Sequence, residues 1–113
     1  MKKDIAALET LAQLILDSEL ARLQGISKEQ EEKASAIKAL QDARKTRDEI
    51  LLDGPDMAQF AGADVRWHRW MAGAQRSLAI EAAQIAARRE AQLAVSRKAF
   101  GRVQVLGKLT GKK

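Results

Sequence analysis

The sequence predicts an all-α protein, an antiparallel two-helix coiled-coil hairpin, and three observations carry that expectation. On both sides of Asp53-Gly54-Pro55-Asp56 the chain is built mainly of Ala, Leu, Ile, Gln, Glu, Lys and Arg, which form or tolerate helix. That tetrapeptide holds the only proline of the 113 residues. Gly before Pro stops one helix, and Asp56 with Gln59 three residues on resembles a capping box that starts the next. Finally, apolar residues recur at spacings of three and four in each half, the near-heptad pattern of coiled-coil packing.

The elements follow in order. Asp4 is the expected N-cap of the first helix, which runs to Asp53. Leu8, Leu11 and Ile15 form one apolar stripe, and Leu16, Leu20 and Leu23 continue it one position over. Past Ser27 the seam weakens to Gln30, Ala34, Ile37 and Leu40, ending near Leu51. Gly25 costs a helix up to about 1 kcal/mol, and Ser27 with Gln30 is a second capping-box pattern. A continuous helix is expected there, with a three-helix bundle broken at Gly25 as the alternative. The turn is placed at residues 54–63, which hold Gly54, Pro55 and Gly62. The second helix is placed at 64–107, with Trp67, Met71, Ala74, Leu78, Ala82, Ile85, Leu93, Phe100 and Val103 on its apolar face. Residues 107–113 are expected to fray. The whole chain is thus read as one hairpin domain.

Residues that face each other in an antiparallel pair have position numbers of nearly constant sum. A sum of about 115 aligns the two stripes. It matches Ile37 with Leu78, Ile15 with Phe100, Leu51 with Asp64 and Ala12 with Val103, and nearly matches Ala34 with Ala82. The same register brings Glu29, Glu31 and Glu32 close to Arg88 and Arg89, so apolar and charged pairing agree.

Composition narrows the function. Aromatic residues make up only 4% of the chain, there is no Tyr, and much of the apolar 46% is alanine. Alanine buries little area per residue, so the core is a seam and a partner is expected to supply part of the stability. The absence of cysteine excludes disulfide and thiolate chemistry and favours a reducing compartment. Met1-Lys2-Lys3 is not followed by an apolar targeting segment, and no run approaches a membrane span, so a soluble, cytoplasmic protein is expected. Charge is divided unevenly. Residues 1–56 hold 9 Lys and Arg against 12 Asp and Glu, whereas residues 57–113 hold 11 against 3. The halves attract each other, and a basic surplus is left for an acidic protein surface, a nucleic acid or a membrane surface.

No catalysis, cofactor or metal is expected. His68 is the only histidine and has no partners at triad or ligand spacing, and a two-helix hairpin encloses no pocket. Asp42, Asp48 and Glu49 are not at ligand spacing, and no glycine loop could cradle phosphate. Arg66-Trp67-His68-Arg69-Trp70 is the most unusual local chemistry. Its tryptophans lie three apart, on nearly one helix face. They either plug the end of the coiled coil near the turn or dock a protein partner, and each tryptophan can take one of these tasks. Arg88, Arg89, Arg97, Lys98, Arg102, Lys108, Lys112 and Lys113 offset the acidic first helix, with an excess that is either a solvated face or a contact surface.

In pattern over nearly its whole length, the chain resembles the FliJ family of flagellar type III export proteins (FliJ/YscO-like coiled coils). The resembling segments are Leu11-Ala-Gln-Leu-Ile-Leu-Asp-Ser-Glu-Leu-Ala-Arg-Leu23, and Arg66-Trp67 with Trp70, Leu78 and Gln84. The chain departs from the family where tyrosine often stands in place of Trp70, and in having small residues at 72–74. The resemblance implies a stalk-like coiled coil whose terminal ends enter a hexameric export ATPase and promote its assembly. It also implies contacts with the cytosolic domain of an export-gate membrane protein and with export chaperones. Such a protein would be cytoplasmic, peripheral to the inner-membrane export apparatus, and without a small-molecule substrate. Matched positions assign Arg66, Trp67, Trp70 and Leu78 to the gate. Charge alone assigns Arg88, Arg89, Arg97 and Arg102 to the ATPase. The competing expectations are a nucleic-acid-associated basic hairpin and a generic coiled-coil adaptor or dimer.

Overall fold

The computed structural model describes the backbone of residues 2–53 and 57–111, and the side chains of residues 2–50 and 62–111. Two α-helices account for nearly all of it: α1 (Lys2–Asp53) and α2 (Met57–Leu109), with no strand among the described residues. This is the expected helical hairpin. α1 passes through Gly25-Ile26-Ser27 without a break, so the three-helix alternative is set aside. The penalty of one glycine is small beside the propagation of a long helix.

α1 begins at Lys2, so Asp4 lies inside its first turn and is not the N-cap expected of it, and both bounds of α2 also differ from expectation. The turn, expected over residues 54–63, gives way to helix by Met57. Gly54, Pro55 and Asp56 themselves lie outside the described residues. Gly62 weighed too heavily in that placement, because the helix-forming residues around it outweigh its cost of about 1 kcal/mol. At the other end α2 continues to Leu109 and is closed, where fraying was expected from Gly107. Gly111 adopts φ 80°, and its N–H donates to the Lys108 carbonyl at 3.2 Å, a left-handed C-terminal cap that glycine makes at no steric cost.

The helices pack in two compact units. One unites Met1–Glu29 with Ile85–Lys113, and the other is Gln30–Gln84. In the first unit Thr110 meets Glu9, Gln92 meets Glu19, Arg89 meets Ser27 and Arg88 meets Glu29. In the second Lys33 meets Glu81 and Arg47 meets Asp64. One number falls as the other rises, so the pairing is antiparallel in each unit, with sums scattered closely around the expected value of about 115.

Burial gives the frame of the seam. In α1 the shielded positions include 5, 9, 12, 16, 19, 23, 26, 30, 33, 37 and 40, alternating steps of four and three, with 27, 36 and 47 also half-buried. In α2 they include 64, 67, 71, 74, 78, 82, 85, 89, 92, 96, 99, 103, 106 and 110, with 75, 86, 93, 101 and 107 half-buried beside them. Two successive steps of four at 74, 78 and 82 form a stutter, and the heptad resumes on either side of it.

The buried residues of the first unit are Ala12, Leu16, Ile85, Ser96 and Ala99; in the second it is Met71, at 2% exposure. Ile37 and Leu78 are half-buried as their pairing requires, as is Val103, whereas the side chain of Leu51 lies outside the described residues. Two pairs need correction. Ile15 and Phe100 are exposed, at 41% and 51%, and their neighbours Leu16 and Ala99 occupy the seam instead. Ala34 is exposed, and Lys33 takes the shielded position beside it. In both cases one residue is a rotation of about 100° around the helix, enough to move a side chain out of a narrow seam.

Candidate partner-binding surfaces

In the second unit, the start of α2 builds an aromatic and charged cluster. Trp67 is half-buried on the seam side. The guanidinium carbon of Arg47, from α1, lies 4.5 Å from the Trp67 ring centroid, a cation–π contact. Arg47 Nε stands 3.5 Å from Asp64 Oδ1, and His68 Nε2 stands 3.3 Å from Asp64 Oδ2 one turn along. The His68 ring meets Trp67 edge-on, with centroids 5.1 Å apart. At 3.5 Å the Arg47–Asp64 contact is an ion pair without a formed hydrogen bond, and both facing atoms are buried without another partner.

That cluster divides the two tryptophans. Trp67 belongs to the helix–helix contact, and Trp70 is 60% exposed. Arg66 and Arg69 are exposed and make no ion pair among the described residues. Arg66 and Trp70 are one turn apart and so share an outward face. Leu78 is half-buried in the seam. Of the four residues that the resemblance assigns to the gate, Arg66 and Trp70 are exposed, and Trp67 and Leu78 are half-buried.

The basic residues of the first unit divide in the same way. Arg88 Nη1 donates to Glu29 Oε2 at 2.9 Å, while half-buried Arg89 donates from Nε to Ser27 Oγ at 3.4 Å. These two arginines join α2 to α1. Glu31 and Glu32 make no ion pair among the described residues, so the expected acidic partners reduce to Glu29. Arg97 and Arg102 are exposed and equally free of ion pairs. Gln92 also holds the helices together, donating from Nε2 to the Glu19 carbonyl at 3.0 Å and to its carboxylate at 2.8 Å.

The first unit also carries a surface that the sequence reading did not single out. Leu8, Leu11 and Ile15 of α1 face Lys98, Arg102 and Val105 of α2 across an open groove of about 620 Å³. Its lining is mostly aliphatic. Its signal in the sequence is the stripe Leu8, Leu11 and Ile15, which lies outside the seam because Ala12 and Leu16 fill it.

Among the described residues no His, Asp and Glu side chains gather in a group able to hold a metal ion, and no helix is long and apolar enough to cross a membrane. No protein-family model, curated protein or solved structure matches the chain.

Proposed function

We propose that the protein is a non-enzymatic component of the flagellar type III export apparatus, a stalk-like coiled coil that binds the export ATPase and couples it to the gate and to chaperones. The observation that carries this reading is the division of labour along α2. Arg88, Arg89, Trp67 and Leu78 hold the hairpin, and Arg66, Trp70, Arg97 and Arg102 are left outward on a fold with a thin seam for a core. Exposed tryptophan and arginine dominate protein–protein hot spots, which suits a protein whose work is contact. The segments around Leu11–Leu23 and Arg66–Leu78 resemble the export family, and the two-helix fold agrees with that family's architecture.

In this reading Arg66 and Trp70 of the second unit meet the gate, while Arg97 and Arg102 of the first meet the ATPase. The purified protein is expected to raise the oligomerisation and turnover of the export ATPase. Trp70→Ala should lose the gate domain in a pull-down and keep the ATPase, and Arg97→Ala with Arg102→Ala should do the reverse. A purified pair with neither binding nor stimulation would remove the proposal. The unpaired basic residues of the first unit also favour a second reading, nucleic-acid association, which predicts salt-sensitive binding to DNA or RNA. A mobility shift at low salt separates the two.

A further inference from the structure

The groove beside α1 and α2 in the first unit has a chemistry that defines its occupant; it shares Arg102 with the ATPase-facing set proposed above but does not depend on that reading. One wall carries Leu8, Leu11 and Ile15, at 52%, 53% and 41% exposure. Leu8 and Ile15 stand seven residues apart, two turns of α1, or about 10 Å along its axis. The other wall carries Lys98, Gly101, Arg102 and Val105, two turns of α2 running the opposite way. Leu8, Leu11 and Ile15 at heptad spacing on α1, opposite Ala99, Val105 and Leu106 of α2, present the kind of site that a third helix occupies in a bundle. Large aliphatic side chains left this exposed side by side in a protein with so small a core mark an interaction surface.

Charge distinguishes the occupants. The segments of this unit hold 12 Lys and Arg against 6 Asp and Glu, and those from residue 85 onward hold 8 against 1. A second copy would bring two basic surfaces together. Lys98 and Arg102 stand on the α2 side of the groove and make no ion pair among the described residues. Gly101 lies between them, and beyond its chain neighbours and its own helix backbone a Cβ there would meet nothing within 4 Å, as at Gly25, Gly62 and Gly73. A helix interior gains nothing from glycine for its own packing at such a place, but a glycine wall lets another backbone approach closely.

We propose that this groove docks an amphipathic helix of a partner protein, with apolar residues at three–four spacing facing Leu8, Leu11 and Ile15 and acidic residues on the flank facing Lys98 and Arg102.

The probe is a labelled synthetic helix of about three heptads, with leucine along one stripe and glutamate on one flank. It is compared, by fluorescence anisotropy with the full chain, against the same helix carrying lysine in place of glutamate. The glutamate helix should bind at least about tenfold more tightly, a preference that weakens with added salt. Lys98→Glu with Arg102→Glu should reverse the preference. Leu11→Ser with Ile15→Ser, and separately Gly101→Leu, should each lose binding by about tenfold or more while circular dichroism shows the helices intact. Equal affinity for the two probes, or no binding of either, overturns the proposal. So does a doubled molar mass for the protein alone that Leu11→Ser with Ile15→Ser returns to a monomer, since a second copy would then be the occupant. Binding to anionic vesicles that displaces the glutamate helix overturns it in favour of a membrane surface.

Discussion

Leu16 and Ile15 are neighbours in the chain and opposites in the fold, and truncating each to alanine tests the frame of the seam. Leu16 keeps 6% of its surface exposed, and Ile15 keeps 41%. Leucine to alanine removes three carbons, worth about 2.4 kcal/mol at about 0.8 kcal/mol per buried methylene. The seam is only two helices thick, so the space left behind opens toward water rather than persisting as an enclosed cavity. The cost should therefore lie near the low end of core truncations, about 2–3 kcal/mol. For Ile15 the same counting, reduced by its exposure and by alanine's better helix propensity, leaves about 1 kcal/mol. Urea or thermal unfolding followed by circular dichroism should then place Leu16→Ala several degrees below Ile15→Ala, since about 1.5 kcal/mol separates them. An Ile15→Ala protein as unstable as Leu16→Ala, or less stable, would refute the frame. It would restore Leu8, Leu11 and Ile15 to the seam and remove the docking groove with them.

Other expectations follow from the same packing. Cysteines introduced at Ile37 and Leu78 should form a disulfide within one molecule, read as a mobility change on a non-reducing gel at high dilution; helicity without cross-linking argues against the register. Ser96 is 5% exposed and its hydroxyl has no hydrogen-bond partner, so Ser96→Ala should stabilise the protein by about 1 kcal/mol, and a loss of stability would mean that the hydroxyl is satisfied. A double-mutant cycle of Arg47→Ala with Trp67→Phe should show a coupling of about 0.5–1 kcal/mol in unfolding experiments, and additivity within error would deny the cation–π contact.

Much of this architecture was legible because helix formation and the 3–4 repeat are local properties. The helix formers on either side of Gly54-Pro55, the apolar heptads and the charge division led to the two-helix hairpin and its register. What misled was the choice between adjacent residues. Ile15 and Leu16 are equally apolar in sequence, and at the other pair the larger apolar surface of Phe100 favours it over Ala99. The seam instead takes the small residue there, because two close helices leave room for alanine where a phenylalanine would force them apart. Gly62 and Gly107 were read as breaks because glycine's cost is easily seen locally, whereas the neighbouring residues that carry the helix through it act together.

The candidate surfaces divide along the same line. Residue chemistry was enough to single out Trp67, Trp70 and the arginines of α2, since tryptophan is rare in this chain and charge is unevenly spread. Which of them remain available to a partner depends on the facing helix. Arg47 covers Trp67, Glu29 takes Arg88, Ser27 takes Arg89, and no described residue of α1 forms an ion pair with Arg97 or Arg102. By itself the sequence determined the helices, their antiparallel pairing and the sign of each surface, because those depend on period, propensity and charge along one strand of chain. Only the tertiary structure decided which side chains the hairpin consumes and which it leaves over. That outcome depends on rotations of about 100° per residue about two helices at once.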